Sequence, residues 1–443
     1  MSTARLTAAL LALGLLVVAC GRRVRDYAYP TPVDTRTREV RLLSTERFPT
    51  DGAVTAEADY PGARLASFRV GGTDSASGLP LYVAEIPAEN EPINPSPWYS
   101  FRLTAPRSTE AVIRLEYPPT ARHRYQPKTA STLSGPWTYV PGDRVDTSGH
   151  LADVTLTVPA TGIYLSAQEV IATDSISRWI DDRQATGSGL TLETIGRSRL
   201  GRPIWKLELN PALRGERNTL VFLSRQHPPE VTGFQAFQAF FDELLTSDEP
   251  AVVDLRQNHR IIAFPVVNPD GVDEGHWRHS AGGIDLNRDW AEYRQPEVRA
   301  IVEWLQRNTE RDEVVWGMDF HSTQYDVLYT HDPVRVAYAG DELVDRWTAA
   351  LAAWSLASYP GASDLPTEDS LGRVLITGQD TLRVEPDAIG KPTSASWFAQ
   401  HYGGIGVTYE VGDEQDRDYL RAKAREAARQ LARAISGATD ASR

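Results

Sequence analysis

The stretch NTLVFLSRQHPPEVTGFQAFQAFFDELL, residues 218–245, holds three signals in a row. It opens with Asn218–Leu223, an apolar run of strand length. It closes with Val231–Leu245, where Phe234, Phe237, Phe241 and Leu244 recur at helical spacing and predict a helix with one apolar face. Between the two stand His227 and Glu230, spaced i, i+3 around Pro228 and Pro229. At the first turn of a helix that spacing puts both side chains on one side. Proline is tolerated at the first helical position, where its missing N–H would be unpaired in any case.

Outward from this unit the same alternation continues. Ile261–Val267, Val314–Phe320 and Ile405–Tyr409 are apolar strands, and Glu297–Gln306 is helical. Asp418–Ile435 is a basic, Ala-rich helix whose charges are expected to form a solvated face. The pattern predicts an α/β domain over residues 171–437, with a mixed sheet and helices on both faces. Polar, chemically capable residues follow each strand: His227 and Glu230, then Asn268, then His321, then Glu410. Open α/β sheets bind ligands at the carboxyl ends of their strands, so a site is expected there.

The preceding residues, 39–170, follow a different period. Val154, Leu156 and Val158 alternate with Asp153, Thr155 and Thr157, and Pro, Gly, Asp and Ser cluster between such runs. Short alternating strands predict an all-β, sandwich-like domain. It offers no catalytic constellation, and its His123 and His150 are expected at the surface. Residues 21–38 are polar and suit a tether. Residues 1–20 have the pattern of an export signal, with Arg5 as the one charge and an apolar run from Ala8 to Ala19 that is too short to span a bilayer. The run ends in VVACG, residues 17–21, which resembles the bacterial lipobox. This implies lipidation at Cys20 and a place in the bacterial cell envelope, in the periplasm or at the cell surface, with the lipid as the only membrane attachment. Cys20 is the chain's one cysteine, which excludes a disulfide within the chain and a cysteine nucleophile or cysteine-ligated metal in the folded body. The net charge of −13 argues against a nucleic-acid partner.

A neutral imidazole and a carboxylate are good zinc ligands, and a third protein ligand would leave the fourth position open for water, as a catalytic zinc requires. His321, in GMDFHS (317–322), is the candidate, 94 residues after His227. Taken singly, HxxE also fits a satisfied surface pair and His321 a core histidine; the combination carries the reading.

The ordered motifs resemble the zinc carboxypeptidases of the carboxypeptidase A/B type, in a bacterial and cytosolic-type branch, over roughly residues 172–435. IGRSRLGRPI (195–204) looks like the family's opening hairpin. HPPE (227–230), NPDG (268–271), WR (277–278), GIDLNR (283–288), HS (321–322) and TYE (408–410) follow in order, with Trp397 at the family's distance before Glu410. The resemblance implies one zinc ion per chain, held by His227, Glu230 and His321. It implies Asp285 as the carboxylate orienting the first ligand, Arg278 beside the oxyanion, Asn287 and Arg288 on the substrate's terminal carboxylate, and Glu410 as general base. A peptide, or a peptidoglycan peptide, is the implied substrate.

There are departures from the family. Pro229 stands where pancreatic members carry a substrate-contacting arginine, Ala388 where they carry a mobile tyrosine, and Ala395 at the pocket floor. The other functions compatible with these residues are a cell-wall peptide amidase of the γ-glutamyl–diaminopimelate type, a deacylase of N-acyl amino acids, and a peptide-binding surface lipoprotein without activity.

Overall fold

A computed structural model describes residues 42, 46–89, 96–213, 219–310, 313–331, 341–358, 383–387 and 392–437. Cys20, the tether and Ala388 lie outside the described residues.

The N-terminal part is built from short strands: β1 (Arg47–Phe48), β2 (Thr55–Glu57), β3 (Ser67–Thr73), β4 (Pro80–Glu85), β5 (Ser100–Thr104), β6 (Thr109–Glu116), β7 (Lys128–Ala130), β8 (Thr138–Tyr139), β9 (Val145–Ser148), β10 (Leu151–Val158) and β11 (Ile163–Ser166). They form a six-stranded sheet in the order β1-β2-β5-β11-β7-β8 and a five-stranded sheet in the order β3-β4-β6-β10-β9. β6 and β10 pair antiparallel with Ile113 opposite Val154 and Leu115 opposite Ala152. The period of two turns these residues inward, where they meet Tyr99, Phe101 and Leu103 from β5 and its approach in one core. His123 is half-buried rather than at the surface, because its Nδ1 sits 2.9 Å from the hydroxyl of Tyr117 and its ring stacks near Tyr99.

The second part holds one eight-stranded sheet. Its strands are β12 (Thr191–Arg197), β13 (Pro203–Leu209), β14 (Thr219–Ser224), β15 (Arg260–Phe264), β16 (Val314–Thr323), β17 (Val327–His331), β18 (Arg383–Asp387) and β19 (Ile405–Gly412), in the order β12-β13-β15-β14-β16-β19-β17-β18. The central β15, β14, β16 and β19 are parallel, and antiparallel pairs flank them at β13 and β17. β14 and β15 are buried along their whole length. Both faces of a parallel sheet are covered by helices, which is why these strands are continuous apolar runs instead of alternating ones. Leu220 and Phe222 face the helices Val231–Thr246 and Arg417–Ser436, while Val221 and Leu223 face Pro296–Asn308 and Ser394–Tyr402.

The C-terminal helix Arg417–Ser436 corrects one expectation. Asp418, Arg421 and Arg425 do face outward, but the charges of the later turns do not form a solvated face. Arg429 binds Glu243 at 2.7 Å and Arg433 binds Glu249 at 2.6 Å, so the helix docks by ion pairs onto Val231–Thr246 and the turn after it. Lys423 is fully buried and pairs with Asp326. The basic residues recur at helical spacing because the acidic partners lie along one neighbouring surface.

Candidate active site

β14 ends at Ser224, and the chain kinks at Arg225, whose φ is +56°. The kink turns His227 toward the sheet edge. His227 and Glu230 precede the helix, which starts at Val231; Glu230 is its N-cap residue. The helical first turn expected for the pair is therefore a loop turn, in which the Glu230 N–H approaches the His227 carbonyl at 3.4 Å. The turn preserves the i, i+3 convergence. Two prolines inside it, neither with an N–H, favour a turn that needs no interior backbone donor.

The next strand supplies the third donor. His321 lies in β16, which runs parallel to β14. Gly233 lets the two approach: a Cβ there would sit 2.4 Å from the His321 carbonyl oxygen. Ser322 Oγ accepts from Gly233 N at 2.8 Å and fastens the helix start to the strand end. Glu230 thereby reaches both rings. Its Oε1 is 2.7 Å from His227 Nδ1 and its Oε2 is 2.7 Å from His321 Nδ1, and the two Nδ1 atoms are 3.2 Å apart. Among the described residues, His227, Glu230 and His321 form the one cluster with metal-ligand geometry.

The opposite nitrogen of each ring is engaged by a carboxylate. His227 Nε2 donates to Asp285 Oδ1 at 3.0 Å, and His321 Nε2 donates to Asp319 Oδ2 at 2.7 Å. Each imidazole is thus oriented with its Nδ1 lone pair toward the centre, the arrangement of a histidine metal ligand. Burial opposes charge on His321, but Asp319 and Glu230 outweigh it and hold the ring well above its ordinary value. Burial pushes Glu230 up, yet the two imidazoles hold its carboxyl well below the carboxylate range. A carboxylate and two nitrogens aimed at one point fit a zinc ion, which takes this donor set and would bear the charge that the protons otherwise carry.

Asp319 was not singled out from the sequence. The signal was present, because residues two apart on a strand share a face and Asp319 precedes His321 by two. Replacing either carboxylate should loosen the ring it holds. Asp285→Asn and Asp319→Asn are each expected to weaken zinc affinity about 10–100-fold, measured by competition with a chelator; unchanged affinity in both would remove the orienting role.

Glu410 sits on β19 directly opposite His321 on β16. Paired residues on adjacent strands project to the same face, so its side chain enters the space in front of the triad. Its Oε2 is buried and has no hydrogen-bond partner among the described residues. Burial and the Glu230 carboxylate push it up to about 7.

Asp285 also accepts from Arg278 Nε at 2.7 Å and from Asn287 N at 2.9 Å. It thus caps the short turn Leu286–Arg288 while holding His227. Burial opposes ionisation of Asp285, but His227 and Arg278 keep it well below its ordinary value. Asn287 is buried; its Oδ1 accepts from Ser394 N at 3.0 Å, and its Nδ2 lies 3.1 Å from His321 Nε2. Arg288 is half-buried, with Nη1 donating to the Asn287 carbonyl at 2.8 Å. Ala395 is buried at the start of the helix Ser394–Tyr402.

Asn268 is not among the converging groups. It caps the short helix Pro269–Asp273 through Gly271 N, and its amide ties the carbonyls of Gln226 and His279 together at 3.1 Å each. Its work is to hold the His227 loop against the loop that carries Arg278.

Residues 176–431, more than half of the chain, match a family model described as zinc carboxypeptidase. An uncharacterized protein of Zymomonas mobilis is 30% identical over 145 residues, covering 32% of this chain and 36% of the relative. Cytosolic carboxypeptidase 2 of Danio rerio is 33% identical over 141 residues, covering 29% of this chain and 19% of the relative. The matched stretch spans about a third or less of these relatives' lengths. The fold is similar to a metallo-carboxypeptidase from Burkholderia cenocepacia, with a TM-score of 0.66 and 17% identity over 87% of this chain and 100% of that one. It is also similar to a metallo-carboxypeptidase from Pseudomonas aeruginosa, with a TM-score of 0.61 and 17% identity over 86% of this chain and 98% of that one.

Proposed function

The chain belongs to the zinc carboxypeptidase family, and from that membership we propose that it is a zinc-dependent carboxypeptidase that removes C-terminal residues from peptides, with Glu410 as general base. One observation carries this reading above the others. Three donors with metal-ligand geometry lie beside Glu410 on the neighbouring strand, whose Oε2 is buried and has no hydrogen-bond partner among the described residues. A binding protein has no use for such a base, whereas hydrolysis requires one.

His227, Glu230 and His321 would hold one zinc ion, which when bound supplies a Lewis acid and lowers the pKa of its water. Glu410 takes a proton from the attacking water and returns it to the leaving amine. Arg278, fixed on Asp285 and a quarter exposed, presents the remaining N–H groups of its guanidinium to negative charge developing on the scissile carbonyl oxygen. Arg288, with Asn287, receives the terminal carboxylate of the substrate, for which a planar guanidinium offers paired N–H donors. The catalytic domain in this reading comprises residues 171–437 and the sheet domain 39–170.

Glu410 works only when ionised. Its carboxyl is raised, so kcat/KM should rise with pH through its folded pKa and fall below it. A divalent cation at the triad favours the ionised form. The acid limb is therefore expected between the ordinary carboxylate value of 4.5 and about 7, and a limb absent from this window would remove Glu410 as the base.

The test uses the zinc-loaded protein and a mixed peptide library, with mass spectrometry of the products. Stepwise loss of single C-terminal residues is expected. Bound zinc with an uncut library, but with cleavage of cell-wall peptides, would replace this reading with the amidase one. Localisation extends the proposal: Cys20 carries a lipid that holds the enzyme in the cell envelope. Among the described residues no helix is long and apolar enough to cross a membrane. Labelled fatty acid should enter the wild type and not Cys20→Ala; equal labelling of both would exclude the anchor.

A further inference from the structure

Two loops that bear active-site groups are gripped by the N-terminal sheet domain. The first follows Glu410. Three residues on, Asp413 receives Arg124, from the connection between β6 and β7, through Nε at 2.9 Å and Nη2 at 2.8 Å. The adjacent Glu414 accepts from Gln126 N at 2.9 Å and from the buried Lys128 Nζ at 3.0 Å, and Gln168 donates to the Asp413 carbonyl at 3.1 Å. Asp413 is buried and Arg124 is about a quarter exposed, so this is a forked ion pair in a largely dry place.

The second loop carries Arg278. Glu89 accepts from the backbone N–H groups of both Trp277 and Arg278. The Trp277 indole packs against the hydrophobic core of the sheet domain and donates to the Tyr125 hydroxyl at 3.1 Å. The same Arg124 lies over the Trp277 ring, 5.9 Å from its centroid, and over Tyr125 at 5.1 Å. One side chain of the sheet domain therefore touches both loops, the one that follows the base and the one that carries the arginine. Gly275, just before this loop, permits a further close approach of the two parts, since a Cβ there would sit 2.5 Å from the Ala63 carbonyl oxygen.

We propose that the sheet domain is a working part of the active site, with Arg124 as the positioning residue that sets Glu410 through Asp413 and Arg278 through Trp277. The inference rests on the hydrolytic reading above for its kinetic consequence, not for its geometry. Removing either partner of the ion pair leaves a buried charge without its counterion, so the loop after Glu410 should relax. Small displacements of a catalytic group are expensive in rate and cheap in ground-state binding.

The experiment uses the full chain, zinc-loaded, as wild type, Arg124→Ala, Arg124→Lys, Asp413→Ala, the double alanine variant and Glu89→Gln. Arg124→Ala should lower kcat about 10–100-fold, with KM within twofold and one zinc retained, and Arg124→Lys should recover part of the loss. Asp413→Ala should lower kcat by no more than Arg124→Ala, which also releases Trp277, and the double variant should be no worse than Arg124→Ala, because the Asp413 coupling is already lost in it. Amide exchange should quicken in peptides covering 405–416 in the Arg124 variants and in 276–288 for Glu89→Gln. Arg124→Ala with normal kcat and only a lowered melting temperature would reduce the domain to a buttress and overturn the proposal. An additive double variant would overturn it by showing that Arg124 does not act through Asp413, and a loss confined to KM would overturn it by making Arg124 a direct substrate contact. If the wild type trims no peptide, the function proposed above falls while the exchange data still decide the positioning.

Discussion

Glu410→Gln should lower kcat on the order of 10²–10⁴-fold while leaving zinc in place. The amide has the shape of the carboxylate and cannot take a proton at any working pH. Glu410 is not one of the three converging donors, so metal content should match the wild type. Folding should tolerate the change, because the buried Oε2 has no partner to lose among the described residues and a like charge beside Glu230 disappears. The check is a pair of measurements on the same preparation: zinc by atomic absorption and turnover of a C-terminally trimmed peptide. A variant with zinc and with turnover within tenfold of the wild type would take the general base away from Glu410.

The second large effect is expected at His321. Alanine there removes one donor from the triad and leaves Asp319 buried, with its Oδ2 deprived of the ring it accepts from. Breaking a buried charged pair from one side costs up to about 3–5 kcal/mol, and less here because Asp319 Oδ2 still accepts from Gln226 and Ser394. Zinc stabilises the folded chain by an amount that grows with the logarithm of its concentration over its Kd, so the loss of the site adds to that cost. His321→Ala should therefore bind no zinc at micromolar metal and should melt below the metal-stripped wild type. The comparison with stripped protein separates the two terms. Melting at the temperature of the stripped wild type would mean that the Asp319–His321 bond contributes nothing beyond orienting the ligand. Retention of tight zinc would mean that the third ligand lies elsewhere.

The sequence determined by itself that this chain carries an α/β sheet with its chemistry at the strand ends. Strands covered on both faces must be apolar throughout, and a helix against a sheet must repeat its apolar residues every three or four positions. Both are local patterns, and the interruptions in them were His227, Glu230, His321 and Glu410, which the fold brings to one edge. The alternation of the first part was legible for the same reason. Tertiary structure alone decided which polar residues were partners. Asn268 has the composition of a site residue, yet it works as a clamp between two loops. Arg429 and Arg433 of the last helix have the spacing of a solvated face, yet they find Glu243 and Glu249 nearly two hundred residues earlier. The contact between Arg124 and Asp413 spans 289 residues of chain. Periodicity records how a segment meets its own core, because burial acts on every turn or pleat in sequence. It holds no record of a single charge pair between distant loops, since the pairing depends on where two domains place their surfaces and not on the pattern of either one.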